Sequence, residues 1–250
     1  MVGISSQPRI SLVTFDALFT LLKPRAPLHV QYADVFRPSL GSLNPDDIKS
    51  SFKQALKNAQ QQQPAYRDGH EDFWSLVIRQ TAIGAGANPS DVSKHMDSIV
   101  PRLLKRFSSR EGYALYDDVL PTLKALNEMG VKTALVSNAD SRILSALDDL
   151  EALHYLRPAL ASDIEGIEKP QREIFLRACS RANCSPEETL HVGDELESDY
   201  FGASNAGLRA LLLRRPGEET RDEDDLEMQR RQSVRRIETL EDVVRFVEDS

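Results

Sequence analysis

The chain has 250 residues, 40% of them hydrophobic and 28% charged, with 31 basic against 39 acidic side chains and a net charge of −8. That is the composition of a globular chain long enough for a real core, and the acidic balance argues against a nucleic-acid binder, which would carry a basic surplus. Two cysteines are too few for a disulfide framework and stand in no zinc spacing with histidine, so an intracellular, reducing compartment is expected, the cytoplasm first, with nucleus or mitochondrion left open. No run reaches the roughly 18 apolar residues of a membrane span, and no membrane partner is expected.

Five strand-like runs follow in order: Ile10–Asp16, Val131–Ser137, Ala159–Ser162, Thr189–Asp194 and Ala210–Leu213. They are short and mostly apolar along their whole length, the pattern of parallel strands covered on both faces. Helical patterns separate them. Asp118–Met129 carries Val119, Leu120, Leu123 and Leu126 at helical spacing and meets Gly130, a stop signal. Ser141–Leu150 follows the second strand, and Gln171–Ala182 precedes the fourth. Ser185-Pro186-Glu187-Glu188 offers a cap, a proline at the first helical position and a glutamate at the third. Such alternation predicts a doubly wound, Rossmann-like α/β domain.

Residues 22–114 break the alternation and read as a helical insert after the first strand. Asn44-Pro45-Asp46-Asp47 starts one helix, Asp72–Ile83 forms a second around Trp74, and Asn88-Pro89-Ser90-Asp91 starts a third. The predicted organisation is a core of residues 1–21 and 115–250 with a helical cap of residues 22–114, expected to act as a lid. Gln60–Gln63 ends at Pro64 and reads as a helix end and loop. Arg25, Arg37, Arg67 and His70 are candidate anion contacts within the insert. Pro216–Gln232 is densely charged and reads as an exposed loop, and Glu238–Glu248 as a closing amphipathic helix. Arg214-Arg215 and Arg230–Arg236 sit among acidic residues and read as solvated surface.

The chemistry-bearing residues fall at strand ends, where sites of open parallel sheets form. Asp16 ends the first strand, Ser137-Asn138 the second, Lys169-Pro170 follows the third, and Gly193-Asp194 ends the fourth with Asp199 five residues on. His191 lies inside a strand and reads as core or as support behind the site; Trp74 reads as packing.

Phe15-Asp16-Ala17-Leu18-Phe19-Thr20-Leu21, Val136-Ser137-Asn138, Glu168-Lys169-Pro170 with Ile174-Phe175, and His191-Val192-Gly193-Asp194 with Asp199, Gly202-Ala203 and Ala206-Gly207 stand in one order. In that order the chain resembles the haloacid dehalogenase-like hydrolase superfamily over nearly its whole length. The tryptophan-bearing insert and imperfect first motif are most similar to the domain-containing protein 3 group and its fungal relatives. The resemblance implies Asp16 as nucleophile, forming an aspartyl-phosphate, and Lys169 as the cation that offsets repulsion between Asp16 and an anionic substrate. Ser137, Asn138 and Thr20 become phosphate-site residues, Thr20 bracing the first loop. It implies Mg²⁺ held by Asp16, Asp194, Asp199 and the backbone carbonyl of Leu18, since this ion takes oxygen ligands and keeps several waters. The implied substrate is a small phosphorylated molecule; the oligomeric state is left open.

Leu18 departs from the pattern. Phosphatases of the superfamily hold an aspartate there to protonate the leaving alcohol and then activate water, help typically worth about 10²–10⁴-fold. Leu18 keeps a carbonyl oxygen but has no proton to give. Three readings stay open: a magnesium-dependent phosphatase-type hydrolase, a non-catalytic binding protein of the same fold, and a metal-independent 2-haloacid dehalogenase, whose halide leaves without a proton.

Overall fold

The computed structural model describes residues 8–62, 70–217 and 234–250. The end of the glutamine tract at Gln63 with Pro64, together with Arg67 and nearly all of the charged stretch 216–232, lies outside them, as does the His70 side chain. The described residues fall into two compact units. One lies within Met1–Lys23, Leu115–Asn138 and Glu151–Ser250; the other within Pro24–Ala114 and Ala139–Leu150.

The first unit is built on a six-stranded parallel sheet. Its strands are β1 (Leu12–Phe15), β4 (Lys132–Ser137), β5 (Ala159–Ala161), β6 (Thr189–Gly193), β7 (Arg209–Leu213) and β8 (Arg236–Ile237), in spatial order β5-β4-β1-β6-β7-β8. Every residue of β1 and β6 is buried, as expected of strands covered on both faces. The order runs outward from β1 in both directions, the doubly wound arrangement expected from the sequence. Because β1 pairs in parallel with β4 and with β6, the residues just past all three strands, Asp16, Asn138 and Asp194, emerge at one edge of the sheet.

The helices of this unit are α5 (Val119–Glu128), α7 (Ser162–Glu165), α8 (Arg172–Ala182), α9 (Gly202–Asn205) and α10 (Glu241–Glu248). α8 turns Ile174, Phe175, Ala178, Cys179 and Ala182 inward, a helical stripe that joins Val136, Leu160, Ala203 and Ala206 in the core. Burying Phe175 completely is worth about 2–3 kcal/mol of transfer free energy. Gly202 permits this packing, since a Cβ there would lie 3.1 Å from Phe175 and from Pro170. Ser185 and Glu188 form a reciprocal capping box, but it opens only a 3₁₀ turn, Pro186–Glu188, before β6 begins.

The second unit is helical: α1 (Leu28–Leu40), α2 (Pro45–Gln62), α3 (His70–Gly84), α4 (Pro89–Arg106) and α6 (Arg142–Asp149). α4 starts where the sequence places it. The Asn88 side chain accepts from Ser90 N at 2.8 Å, with Pro89 at the first helical position. Trp74 packs with Phe52, Leu56 and Phe73 around Ala55, Ala59 and Val77. The observed unit differs from the expected insert of 22–114: it begins at Pro24 and also takes in residues 139–150. The reason is a buried knot. Trp74 Nε1 donates to Asp140 Oδ2 at 2.6 Å, Arg142 binds both Asp140 oxygens at 2.7 and 2.8 Å, and its guanidinium lies 4.7 Å from the centre of the Trp74 ring. Of the other candidate anion contacts, Arg37 pairs with Asp34 in solvent and Arg25 donates to the Arg110 carbonyl. Two short strands, β2 (Leu22–Pro24) and β3 (Tyr113–Leu115), pair in a separate ribbon.

Among the described residues no helix is long and apolar enough to cross a membrane.

Candidate active site

Asp16 is the residue after β1, its amide bonded to Val192 O at 2.9 Å, so β6 fixes where its side chain starts. From there the chain makes a tight turn. Phe19 N donates to Leu22 O at 2.7 Å, and Leu21 N and Leu22 N both donate to Ala17 O at 2.8 Å. Leu18 forms a bridge with Leu22, and Phe19 takes a left-handed conformation, φ 65°, which costs a bulky side chain about 1 kcal/mol or more.

Lys169 is the hub. Its Nζ donates to Asp16 Oδ1 and to Asp199 Oδ1, each at 2.6 Å, and the lysine is only 4% exposed. Burial works against this cation, but Asp16 and Asp199 outweigh it and hold its pKa above the usual lysine range. Asn138 grips the backbone of the same residue. Its Nδ2 donates to Lys169 O at 2.8 Å and its Oδ1 accepts from Lys169 N at 2.7 Å. Its amide therefore serves the lysine loop at both ends. Ser137 closes β4 and is buried.

Asp199 is fixed on all sides. It lies in a π-helical turn, Leu196–Phe201, where Tyr200 N reaches back five residues to Glu195 O at 3.2 Å. Asp199 Oδ2 accepts from Glu195 N at 2.9 Å. Its Oδ1 faces Lys169 and, at 3.1 Å, His191 Nε2. Gly193 makes room: a Cβ there would lie 2.2 Å from Asp199 Cγ. Burial pushes the Asp199 pKa upward, but the Lys169 charge and the His191 hydrogen bond prevail and hold it well below the ordinary range. His191 is completely buried and bonds Thr14 through its other nitrogen at 2.8 Å.

Asp194 Oδ1 accepts from Thr20 Oγ1 at 3.4 Å. Asp16, Asp194 and Asp199 each offer an oxygen, all within 4.8 Å of one another. Three carboxylates thus face one ammonium, and two of them show the deficit of positive charge. Burial lifts Asp16 to about 6, with Lys169 opposing and Asp199 adding. Burial also lifts Asp194 well above the ordinary range, with Asp16 and Asp199 adding. A hard divalent cation is what such an oxygen-only, charge-deficient set accommodates. Both Asp199 oxygens are already engaged, so Asp16 and Asp194 have the freer lone pairs.

Arg215 departs from the solvated surface expected for it. It pairs with Asp118 at 2.9 and 3.0 Å, donates to Thr20 O at 2.9 Å, and stacks 3.7 Å from the Tyr116 ring centre. It ties down the turn after Asp16. Arg214 donates to Asp194 O. Neither role is visible locally, because their partners are about 20 to 195 residues away in sequence. Thr14 did carry a signal: it is the polar residue in an apolar strand, two positions before Asp16 and so on the same face.

Comparison with known proteins agrees with this geometry. A family model described as haloacid dehalogenase-like hydrolase matches residues 10–207, and the chain belongs to that family. Haloacid dehalogenase-like hydrolase domain-containing protein 3 of Bos taurus is 30% identical over 212 residues, 83% of each chain. The glyceraldehyde 3-phosphate phosphatase of Methanopyrus kandleri is 31% identical over 180 residues, 70% of this chain and 74% of that protein. Among solved structures, a phosphatase of the same family from Thermococcus onnurineus shares the fold with a TM-score of 0.67 at 22% identity, over 95% of this chain and 98% of its own.

Proposed function

We propose that this protein is a magnesium-dependent, phosphatase-type hydrolase that acts on a small phosphorylated substrate through an aspartyl-phosphate at Asp16. The observation that supports it most is the Lys169 ammonium seated 2.6 Å from both Asp16 Oδ1 and Asp199 Oδ1. One Asp16 oxygen is thereby held, and Oδ2 is left to attack phosphorus. As the oxygen–phosphorus bond to Asp16 forms, the bond to the leaving oxygen breaks; water then attacks phosphorus and returns the carboxylate. Lys169, with its raised pKa, stays charged throughout and offsets the repulsion between Asp16 and the incoming anion. Ser137 would donate to a phosphoryl oxygen, and Thr20 holds the turn. Asp16, Asp194, the Leu18 carbonyl and, directly or through water, Asp199 would hold Mg²⁺, which when bound supplies positive charge to the phosphoryl oxygens and the carboxylates.

Leu18 gives no proton to the leaving group. The substrates this site favours are therefore phosphates whose leaving group departs as a stable anion, such as aryl, enol or acyl phosphates. The test is phosphate release from p-nitrophenyl phosphate with and without Mg²⁺, on wild type and D16N. Mg²⁺-dependent release lost in D16N is expected; equal release by D16N removes Asp16 from the nucleophile role. Leu18 also favours a second reading, a protein that binds a phosphorylated ligand without turning it over. Thermal stabilisation by phosphate with no turnover selects that reading, and metal-independent chloride release from 2-chloropropionate selects the dehalogenase.

A further inference from the structure

Behind the carboxylates lies a buried hydrogen-bonded chain that the chemistry above leaves unused. Thr14 on β1 and His191 on β6 are directly paired residues of neighbouring parallel strands, and neither has any exposed surface. Thr14 Oγ1 is 2.8 Å from His191 Nδ1, and His191 Nε2 is 3.1 Å from Asp199 Oδ1. An edge-on contact with the Phe175 ring, 5.1 Å between centres at 80°, holds the imidazole plane.

The proton positions follow from what surrounds Asp199. Its carboxylate receives an ammonium proton from Lys169 and an amide proton from Glu195, so it is an acceptor only. The nitrogen facing it, Nε2, must then carry a hydrogen. The imidazole has no exposed surface and shares Asp199 Oδ1 with the Lys169 ammonium, a place for a neutral ring rather than a second cation. Nδ1 is therefore a bare acceptor, and the Thr14 hydroxyl donates to it. The alternative acceptor for that hydroxyl, Leu190 O, is farther away at 3.4 Å. The chain thus has one direction: Thr14 Oγ–H to Nδ1, then Nε2–H to Asp199 Oδ1, beside Lys169 Nζ.

We infer that His191 is a positioning residue, kept in its Nε2–H tautomer by Thr14, whose hydrogen bond sets the rotamer of Asp199 and through it the seat of Lys169 on Asp16. Without the imidazole, Asp199 Oδ1 would be held by Lys169 alone, a flexible cation shared with Asp16. With the imidazole in place, both Asp199 oxygens are fixed, Oδ1 by two side chains and Oδ2 by the Glu195 amide. Partners of this kind, one bond removed from the groups they orient, typically carry about 10–100-fold in metal affinity or activity. The effects on Mg²⁺ affinity and on catalysis rest on the proposed function; the tautomer does not.

Two measurements test it. In ¹⁵N-histidine-labelled protein without metal, long-range proton–nitrogen spectra at pH 7 should show a neutral ring with protonated Nε2 and bare Nδ1, assigned to His191 by its loss in H191Q. A protonated Nδ1 there, or an imidazolium, overturns the inference whether or not the protein has any phosphatase activity. The second compares H191Q, whose amide can reach Asp199 with an N–H, and H191L, which fills the space without a donor. Calorimetric titration with MgCl₂ alone should show H191L about 10-fold or more weaker than wild type, with H191Q recovering most of the difference. Should H191L not fold, T14V supplies the same comparison: loss of the Nδ1 donor should mix the two tautomers in the spectrum and weaken Mg²⁺ by a smaller factor. Equal Mg²⁺ affinity in wild type, H191Q and whichever of H191L or T14V folds assigns His191 to core packing only and sinks the positioning role.

Discussion

Asn138 holds the backbone of Lys169 at two points, N–H and C=O, across 31 residues of sequence. The side chain of Lys169 reaches both Asp16 and Asp199 because its main chain is held there. N138A removes both bonds, each worth about 0.5–1.5 kcal/mol net. The expected result is a loss of about 1–2 kcal/mol in urea unfolding and a drop of roughly 10-fold in turnover with little change in KM. A variant with wild-type turnover would show that Lys169 keeps its seat without the clamp.

Gly193 is required by contact rather than by backbone freedom. A methyl group there would sit 2.2 Å from Asp199 Cγ and 2.3 Å from Oδ2, far inside van der Waals contact. Asp199 is held by Lys169, His191 and Glu195 and has nowhere to go. G193A should lower stability by about 1–3 kcal/mol, the usual range for overpacking, and weaken Mg²⁺ by more than 10-fold in calorimetric titration. Unchanged Mg²⁺ affinity would mean Asp199 can move aside without disturbing the cation site.

Stability should depend on pH through buried groups of opposite sign, Asp16 and Asp194 one way and Asp199 and His191 the other. Asp16 is lifted from 3.8 to about 6, so between those values the folded protein holds a proton that the unfolded chain releases. Its contribution is full below about 4 and is lost as pH rises through 6; Asp194 acts in the same direction. Asp199 is depressed, so its contribution is present above about 4 and is lost as pH falls below that value. His191, held neutral, gains stability as pH rises toward the ordinary histidine range and opposes Asp16 over the same window. The Asp16 contribution is therefore read as the wild-type minus D16N difference in EDTA, which should fall by about 2 kcal/mol between pH 4.5 and 7, since each pH unit separating the folded and unfolded pKa values is worth about 1.4 kcal/mol. Saturating Mg²⁺ should make that difference less dependent on pH. A wild-type minus D16N difference that rises over the same interval would contradict the sign assigned to Asp16.

The strand ends were legible because a carboxylate or a lysine closing an apolar run has no structural reason to be there, and parallel pairing brings Asp16, Asn138 and Asp194 to one edge. What was not legible lacked a local signal. β2 and β3 have three residues each and β8 two, too short for any period to show. α1 opens after Pro27 with no side-chain cap and contains Pro38, so neither end reads as a helix. Arg215 sits in a charged neighbourhood that reads as surface, and only the distant Asp118 and Tyr116 bury it. Asp140 and Arg142 follow a core strand, yet Trp74, 66 residues upstream of Asp140, draws their segment into the helical unit.

Three contacts of Arg215 need a planar cation: the two oxygens of Asp118, the Thr20 carbonyl, and the Tyr116 face. Lysine keeps the charge but not the fork. R215K should therefore lose most of what R215A loses, about 2–3 kcal/mol, since each leaves the largely buried Asp118 poorly paired. Turnover should fall with it, because the Thr20 carbonyl anchors the turn that carries Leu18. Guanidine unfolding and p-nitrophenyl phosphate kinetics read the two effects; full stability in R215K would reduce the contact to simple charge pairing.

Leu18 is where sequence and site disagree most sharply, and a single substitution addresses it. The turn around it is already built: Ala17 O accepts from Leu21 N and Leu22 N, Phe19 N bonds Leu22 O, and residue 18 is half-buried beside Asp16. L18D adds a carboxyl to a site that already holds three, so its own proton should be retained near neutral pH, as the raised Asp16 and Asp194 illustrate. A retained proton is what a poor leaving group needs. The gain should therefore depend on the substrate: up to about 10²-fold for an alkyl phosphate, whose alkoxide must be protonated, and only a few-fold for p-nitrophenyl phosphate, whose anion is stable. The added charge should lower stability in EDTA at pH 8, with Mg²⁺ restoring part of it. An equal gain on both substrates would mean that Leu18 limits the second step, attack of water on the aspartyl-phosphate, and no gain on either would place the missing proton elsewhere in the site.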